Sequence, residues 1–405
     1  MREPFLADTS LPSVAASLKI SVAPALLLWG RQTAGYTLDE AAHKVGISPD
    51  KLAAAESGEG PLTYTQLRNL SNGYKRPLAA FFLDQPPPCE ELIHDFRLGL
   101  DFQHRHLSPR LNFELRKARH HRDEALELAA ELGEVVTRFS HTANLNESPE
   151  DVAKRLRALF GVSMEAQFAF RDNGTALKAW KQAIEGTGVL VFETSRIEVD
   201  EMRGVSLPAD YLPVVILNGG DAHAGRNFTL IHEFTHLLLR QGGLCDLVQG
   251  EGPSHDARLE AFCNAVAAAT LLPAENLRAR LPDLKVRIWA MEELQELADA
   301  FCVSKEAVLR RLLTLKLTTR EHYESMRALF LAEYRRLKER PGKSSGGPSP
   351  AVMAVRNLGR PYVRLVLGAY AEDRISLSAV SGYLGVKLKH LERIEGLIQK
   401  GEVAA

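Results

Sequence analysis

Cysteine is scarce in this chain of 405 residues, and its four cysteines lie far apart. They are Cys89, Cys245, Cys263 and Cys302, and no two of them form a C-x-x-C pair. Such a dispersed set does not suit a disulfide framework. It indicates reduced thiols in a cytoplasmic protein.

Long apolar runs and a strong net charge are also missing. No apolar run reaches the roughly 18–20 residues that a membrane helix needs, and no basic region precedes an apolar stretch at the N-terminus. The formal net charge is −1 and the pI is about 6.9, so the composition is not that of a general nucleic-acid binder, although a local basic face is compatible with it. We therefore expect a cytoplasmic protein without a membrane partner.

The most informative stretch is Leu230–Leu239, an apolar run that contains the pattern H-E-x-x-H. On a helix, His232 and His236 lie on one face one turn apart, so their imidazoles can hold one Zn²⁺ at about 2.0–2.1 Å. Glu233 projects beside that face and can accept a proton from a water molecule held there. Both histidines could instead be ordinary core residues. However, a helix that is apolar nearly all round is buried, and its polar residues need a strong partner such as a metal ion.

A metal site of this kind needs a third protein ligand and leaves a fourth position open for water. A helix predicted at Asp256–Leu272 offers Glu260, a carboxylate among alanine and apolar residues that is costly to bury unless it is paired or coordinated. The alternative role for Glu260 is that of a structural ion-pair partner. Competing ligands are His223, His255 and Asp256. Zn²⁺ is the expected ion, and Mn²⁺ or Fe²⁺ also suits such a ligand set.

Two residues and one strand are candidates for contact with a substrate. His223 and Arg226 could stabilise the transition state, and Arg226 could instead anchor the loop or a carboxylate. The predicted strand Val214–Asn218 ends just before the motif helix. It is either a sheet edge that holds an extended substrate through main-chain hydrogen bonds or an ordinary core strand.

Two segments resemble the core of the ImmA/IrrE family of metallopeptidases. They are Arg226–His236 and Glu260–Asn264, the second followed by Leu271–Pro273. Strands at 189–192 and 214–218 are similar to the small sheet of that family. The resemblance spans roughly residues 150–280.

The resemblance implies a gluzincin-like site. By residue, it makes His232, His236 and Glu260 the zinc ligands and Glu233 the general base. It also implies that the substrate is a partner transcription factor, usually a repressor of the XRE type.

The N-terminal part predicts a small helical domain with a helix-turn-helix. Thr37 and Glu40 form a capping box, Gly46 can take the positive φ of a turn, and Ser48 caps the helix that follows. This pattern resembles the XRE-type domain of lambda repressor and Cro. The resemblance is carried by Ala41, Gly46, Ile47 and Glu56–Gly58.

DNA binding does not follow from this pattern alone. The helix that would enter the major groove begins at Pro49 and offers Lys51, but no Arg, Gln or Asn, to read base edges. Candidate phosphate contacts are Lys44, Lys51, Arg68, Lys75 and Arg76. The domain could instead pair with another helix-turn-helix protein, such as the substrate repressor, or act as a structural cap.

The expected fold is mainly α with a small β-sheet, an α+β class. The predicted division is an XRE-type helix-turn-helix domain at 20–85, a linker and long helix at 86–148, a zincin-like peptidase core at 149–280, a helical extension at 281–340, a flexible linker at 341–350 and a small helical region at 351–405. A charged amphipathic helix is predicted at 109–139. For the last region we predict helices at 362–371, 376–384 and 387–398, which either bind a substrate or signal or pack as a cap; packing is favoured.

The expected function is that of a zinc-dependent, site-specific endopeptidase that cleaves a partner repressor in transcription regulation during a stress response. Its N-terminal domain would guide it to the substrate or to operator DNA. The alternative is a DNA-binding regulator or antitoxin whose peptidase fold is a non-catalytic sensor or scaffold. The four residues His232, Glu233, His236 and Glu260 favour the enzyme, because a vestigial site has no reason to keep them all. The sequence carries no signal of an oligomeric state.

Overall fold

The computed structural model describes residues 19–87, 107–240, 243–245, 255–281, 283–339 and 347–402. The chain is mainly helical with two small sheets, which confirms the predicted α+β class. Its contacts divide it into two compact units, one made of the described residues up to 87 together with 107–113, and one that begins at 114. Throughout these ranges, every helix is too short or too polar to cross a membrane.

The first unit contains short helices and a two-stranded antiparallel ribbon. Its elements are β1 (Lys19–Ile20), α1 (Pro24–Ala34), α2 (Leu38–Val45), α3 (Pro49–Ser57), β2 (Leu62–Thr63), α4 (Tyr64–Tyr74) and a 3₁₀ helix (Leu78–Phe82). Thr37 and Glu40 form the predicted capping box, and the Ser48 side chain accepts the Lys51 N–H at the start of α3. Gly46 ends α2 with φ 72°, the left-handed conformation that the turn requires. The local predictions for this turn are therefore confirmed.

The second unit contains the remaining helices and a four-stranded sheet. α5 (Pro109–Glu131) begins in the first unit and continues in the second. The other elements up to residue 339 are α6 (Pro149–Phe160), α7 (Met164–Phe168), α8 (Asn173–Glu185), β3 (Leu190–Thr194), β4 (Gly204–Leu207), β5 (Val214–Asn218), α9 (His223–Leu238), β6 (Gly243–Cys245), α10 (His255–Leu271), α11 (Ala274–Ala279), α12 (Met291–Phe301), α13 (Lys305–Thr314) and α14 (Arg320–Glu339). The prediction of a helix to 139 is wrong, since α5 ends eight residues earlier. Gly133, with φ 68°, turns the chain there.

The sheet has the strand order β3-β5-β4-β6. β3 and β5 are parallel, whereas β4 is antiparallel to both β5 and β6. β5 is therefore internal, and all five of its residues are buried. The hypothesis that this strand is an edge for substrate is wrong, because both of its edges are already paired; the core-strand alternative is correct.

The core of this unit lies where α6, α8, α9 and α10 pack together. Phe234 of α9 is fully buried, with ring centroids 5.0 Å from Phe160 and 5.9 Å from Phe139 in edge-to-face contacts. Cys263 and Cys302 are both buried, and Cys89 lies outside the described residues.

The C-terminal end of α10 is held by side chains from three other helices. Helix ends leave carbonyl groups without partners, and Pro273 prevents α10 from continuing. The side chains of Arg157, Gln167 and Arg311 donate to the backbone carbonyl oxygens of Thr270, Leu271 and Leu272, respectively, each at 2.9 Å. These bonds fix the helix that carries Glu260.

The C-terminal helices pack against one another, and one of them packs on the sheet. They are α15 (Pro350–Leu358), α16 (Arg360–Ala371), α17 (Leu377–Leu384), a 3₁₀ helix (Leu388–His390) and α18 (Leu391–Glu402). α15, which the sequence analysis missed, lies against β3. Ser349 caps it and Pro350 is its first residue, so the predicted linker ends earlier than 350; residues 341–346 lie outside the described ranges.

Candidate metal centre

The two motif histidines are completely buried on α9. Apolar neighbours such as Leu230, Ile231 and Phe234 pack this helix into the core on several sides. His232 and His236 are one helical turn apart, and their Nε2 atoms are separated by 3.0 Å. The spacing of four residues therefore produces the juxtaposition that the sequence predicts.

Glu260 completes the group from the neighbouring helix. α10 packs against α9, and Glu260 Oε1 lies 3.1 Å from His236 Nε2 while Oε2 lies 3.3 Å from His232 Nε2. The Glu260 side chain is 35% exposed, whereas both imidazoles are fully buried. The group therefore opens towards solvent on the side of α10. Among the residues described, this is the one cluster of three or more His, Cys, Asp or Glu side chains able to share an ion.

The three side chains have the spacing that a tetrahedral metal ion requires. Ligands at about 2.0–2.1 Å from Zn²⁺ are separated by about 3.3 Å along each edge of the tetrahedron. The observed distances of 3.0, 3.1 and 3.3 Å are close to that edge. Two buried imidazoles that direct their Nε2 atoms at each other and at one carboxylate have the arrangement that a shared metal ion produces. The donor set fits a divalent ion with one further position available.

The histidines also determine the charge of Glu260. Burial alone would raise the pKa of this carboxyl group, but hydrogen bonds and favourable charge interactions from His232 and His236 lower it well below its ordinary value. Glu260 is therefore ionised, as a metal ligand must be.

Glu233 lies beside this group in a very different environment. Its carboxyl group is fully buried against β4, where Gly204 is its close neighbour. Burial raises its pKa to about 8, although the charge of His232 and the Ser206 hydroxyl oppose the rise. Neither of its oxygens has a hydrogen-bond partner of good geometry in the described part of the chain. A buried, unengaged carboxyl group next to a ligand is positioned to move a proton.

The other proposed contacts lie away from the three ligands. His223 is exposed in the first turn of α9, nine residues before His232 and so about 13 Å away along the helix axis. Arg226 is buried, and its Nη1 donates to Glu193 Oε2 at 2.8 Å. Arg226 thus has the carboxylate-anchoring role that the sequence left as its alternative. His255 and Asp256 lie in the first turn of α10, and their side chains are outside the described part of the structure.

Sequence reasoning missed β4 and Glu193. β4 supplies Gly204 and Ser206, which line the pocket of Glu233. Glu193 follows the apolar run Val189–Phe192, and a carboxylate placed there is costly to bury without a cation. That cost was the available signal that Glu193 must have partners elsewhere in the chain.

The candidate DNA contacts belong to the first unit. Lys44, Lys51, Arg68 and Lys75 are exposed. Arg76 differs, because its guanidinium stacks over the Trp29 ring at 4.6 Å and donates to Thr33 Oγ1 at 3.1 Å. Arg76 is therefore engaged inside its own unit.

A comparison with protein families finds one match in this part of the chain. Residues 184–313 match the family model of the IrrE N-terminal-like domain, Peptidase_M78. The matched segment contains the sheet, α9, α10 and all four residues of the site. A search of curated protein sequences found no match.

Proposed function

We propose that this protein is a zinc-dependent, site-specific endopeptidase that cleaves a partner transcriptional repressor. The observation that carries the proposal is the convergence of His232 Nε2, His236 Nε2 and the Glu260 carboxylate within 4.8 Å, beside the buried Glu233. The peptidase family match over the same residues supports it.

The residues divide the chemical work between them. A bound Zn²⁺ would lower the pKa of a water molecule and polarise the scissile carbonyl group. Glu233 accepts the proton of the attacking water and passes it to the leaving amine. A cation close to Glu233 favours its ionised form, so the occupied centre would convert a carboxyl group that prefers its proton into a base.

Recognition of the repressor is proposed for the first unit. Its α2 and α3 with the Gly46 turn have the order of a helix-turn-helix. Lys51 is the sole cation on α3, and the helix has no Arg, Asn or Gln side chain to hydrogen-bond with base edges. This supports pairing with a helix-turn-helix repressor in preference to sequence-specific DNA binding, with exposed lysines available for phosphate contacts.

Metal analysis together with cleavage of XRE-type repressors tests the proposal. Purified full-length protein should contain about one zinc per chain, and His232→Ala should remove it. Incubation with repressors of this type should produce two fragments, identified by mass spectrometry, and Glu233→Gln should abolish them.

The alternative function is a DNA-binding regulator with a non-catalytic peptidase fold. Burying Glu233 without a well-formed hydrogen bond from the described residues costs stability, and a scaffold gains nothing from that cost. A metal-free chain that binds operator DNA and leaves every repressor intact would favour the regulator.

A further inference from the structure

One buried carboxylate holds three cations from three different helices. Glu193 of β3 has a side chain that is 2% exposed. Its Oε2 accepts a hydrogen bond from Arg226 of α9 at 2.8 Å, and its Oε1 accepts one from Lys181 of α8 at 3.1 Å. Arg356 of α15 places Nε 3.6 Å from the same Oε2.

We propose that Glu193 is a positioning residue for the metal centre, which fixes α9 and makes the geometry of the ligands depend on the C-terminal helices. The proposal rests on the metal centre of the proposed function but not on the cleavage of any substrate.

The first step is the connection between Glu193 and the histidines. Arg226 is 5% exposed and lies six residues before His232, about 9 Å along one continuous helix. A shift of its guanidinium is carried along that helix to both imidazoles, and metal ligands need to be held within about 0.5 Å. Glu193 is the hydrogen-bonded anion that holds Arg226 in place.

The second step is the charge balance around Glu193. One carboxylate faces Lys181, Arg226 and Arg356, so the cations outnumber it and repel one another. Lys181 also interacts with Glu185, and Arg226 with Asp221, but Glu193 is the carboxylate that accepts a hydrogen bond from both cations. Removing its negative charge would deprive two buried cations of that partner, a change that costs far more than losing an exposed ion pair. The α8–α9 arrangement thus depends on the charge of Glu193 as well as on its shape.

The third step is the engagement of the C-terminal helices. Arg356 contacts this group of charges at two points. Its side chain lies near Glu193, and its main-chain oxygen accepts a hydrogen bond from Lys181 Nζ at 2.6 Å. Nearby, α16 packs against α8, where the backbone N–H of Arg360 favours the charged form of Glu185, a second buried carboxyl group. The α15–α16 segment is therefore part of the support of the metal helix.

Zinc affinity of the full-length chain tests this inference. The dissociation constant is measured by competition with a chromophoric chelator, at a temperature at which circular dichroism shows each variant to be folded. Glu193→Gln keeps the shape and removes the charge, and we expect zinc to bind about tenfold more weakly. Arg356→Gln should weaken binding by a smaller factor, whereas Arg356→Lys should restore it to near the wild-type value.

Two comparisons separate positioning from a general loss of stability. In the Glu193→Gln background, Arg356→Gln should cause no further loss of affinity, because the two residues act through one contact. Asp210→Asn is the matched control. It also removes a carboxylate held by two arginines, Arg138 and Arg240 at 3.1 Å each, but its side chain is 50% exposed, and zinc affinity should not change.

The outcomes are distinct. Unchanged zinc affinity in Glu193→Gln, or a loss that adds fully to that of Arg356→Gln, would overturn the positioning role. If Glu193→Gln does not fold, the contrast between Arg356→Gln and Arg356→Lys decides the question, and equal affinities would refute the proposal. A wild-type chain that binds no zinc would refute the metal centre itself, and the positioning role with it. Zinc binding with the expected losses but without repressor cleavage would support the inference and count against the proposed function alone.

Discussion

Gly204 of β4 lies directly against Glu233 of α9. A methyl group added at Gly204 would be 3.1 Å from Glu233 Cγ and would overlap the Thr229 side chain. The strand thus passes so close to the metal helix that only a hydrogen atom fits between them. Glu233, the proposed base, is therefore held between its own helix α9 and strand β4.

Gly204→Ala should therefore damage both stability and catalysis. Overpacking of this kind costs about 1–3 kcal/mol, and relief of the overlap would displace Glu233. Urea unfolding should show the loss of stability, and repressor cleavage should fall in protein that is still folded. Gly382→Ala is the control, because a methyl at Gly382 meets nothing within 4 Å in a helix and should not destabilise. Equal behaviour of the two variants would contradict the close contact.

Glu233→Gln should keep zinc and lose cleavage. The amide has nearly the same shape but cannot accept the proton of the attacking water, so the rate of cleavage should fall by about 10²–10⁴. Zinc content measured on the same preparation separates the base from the ligands. Full cleavage by a zinc-loaded Glu233→Gln variant would end the assignment of Glu233 as the base.

Glu260→Ala should lose the metal. The variant leaves two imidazoles and no carboxylate, so zinc affinity should fall by more than about 100-fold. That loss exceeds the one caused by removing a residue that only supports a metal ligand. Chelator competition measures the change. The Glu260 side chain is partly exposed, so the chain should still fold. Wild-type affinity in this variant would mean that the third ligand is another residue.

Glu185 should make stability depend on pH. Burial raises its pKa from 4.5 to about 7, although Lys181 and the Arg360 N–H oppose the shift. A carboxyl group with a raised pKa favours the folded state while it is protonated, so its contribution is lost as the pH rises from about 4.5 to about 7. Glu185→Gln removes this dependence, and its free energy of unfolding relative to wild type should rise by up to about 3 kcal/mol between pH 4.5 and pH 8. Urea titrations at both pH values measure the difference, and a difference that does not change with pH would show that the pKa of Glu185 is the same in the folded and unfolded states.

Local sequence signals predicted many of the helices and brought the candidate ligands to one place. The capping residues Thr37 and Ser48 lie where the pattern places them, because a cap is decided by its own few residues. His232 and His236 are similar, since helical spacing alone brings them together. The agreement of Glu260 with its prediction rests on the resemblance as well as on the cost of burying a carboxylate.

What escaped prediction depends on long-range contacts. β4 has only four residues, and no alternation marks it as a strand. The internal place of β5 follows from its pairing with β4, so an apolar run could not distinguish an edge from a core strand. Arg356 lies 163 positions after Glu193 in the chain (356 − 193), and no local pattern connects them.

The most direct measurement of the metal centre is X-ray absorption at the zinc edge of the zinc-loaded, full-length protein. The geometry of His232, His236 and Glu260 predicts two imidazole ligands with oxygen ligands at about 2.0–2.1 Å and no sulfur, and it predicts loss of both imidazole contributions in His232→Ala/His236→Ala. A zinc ion with fewer than two imidazoles, or with sulfur in its shell, would contradict the proposed centre.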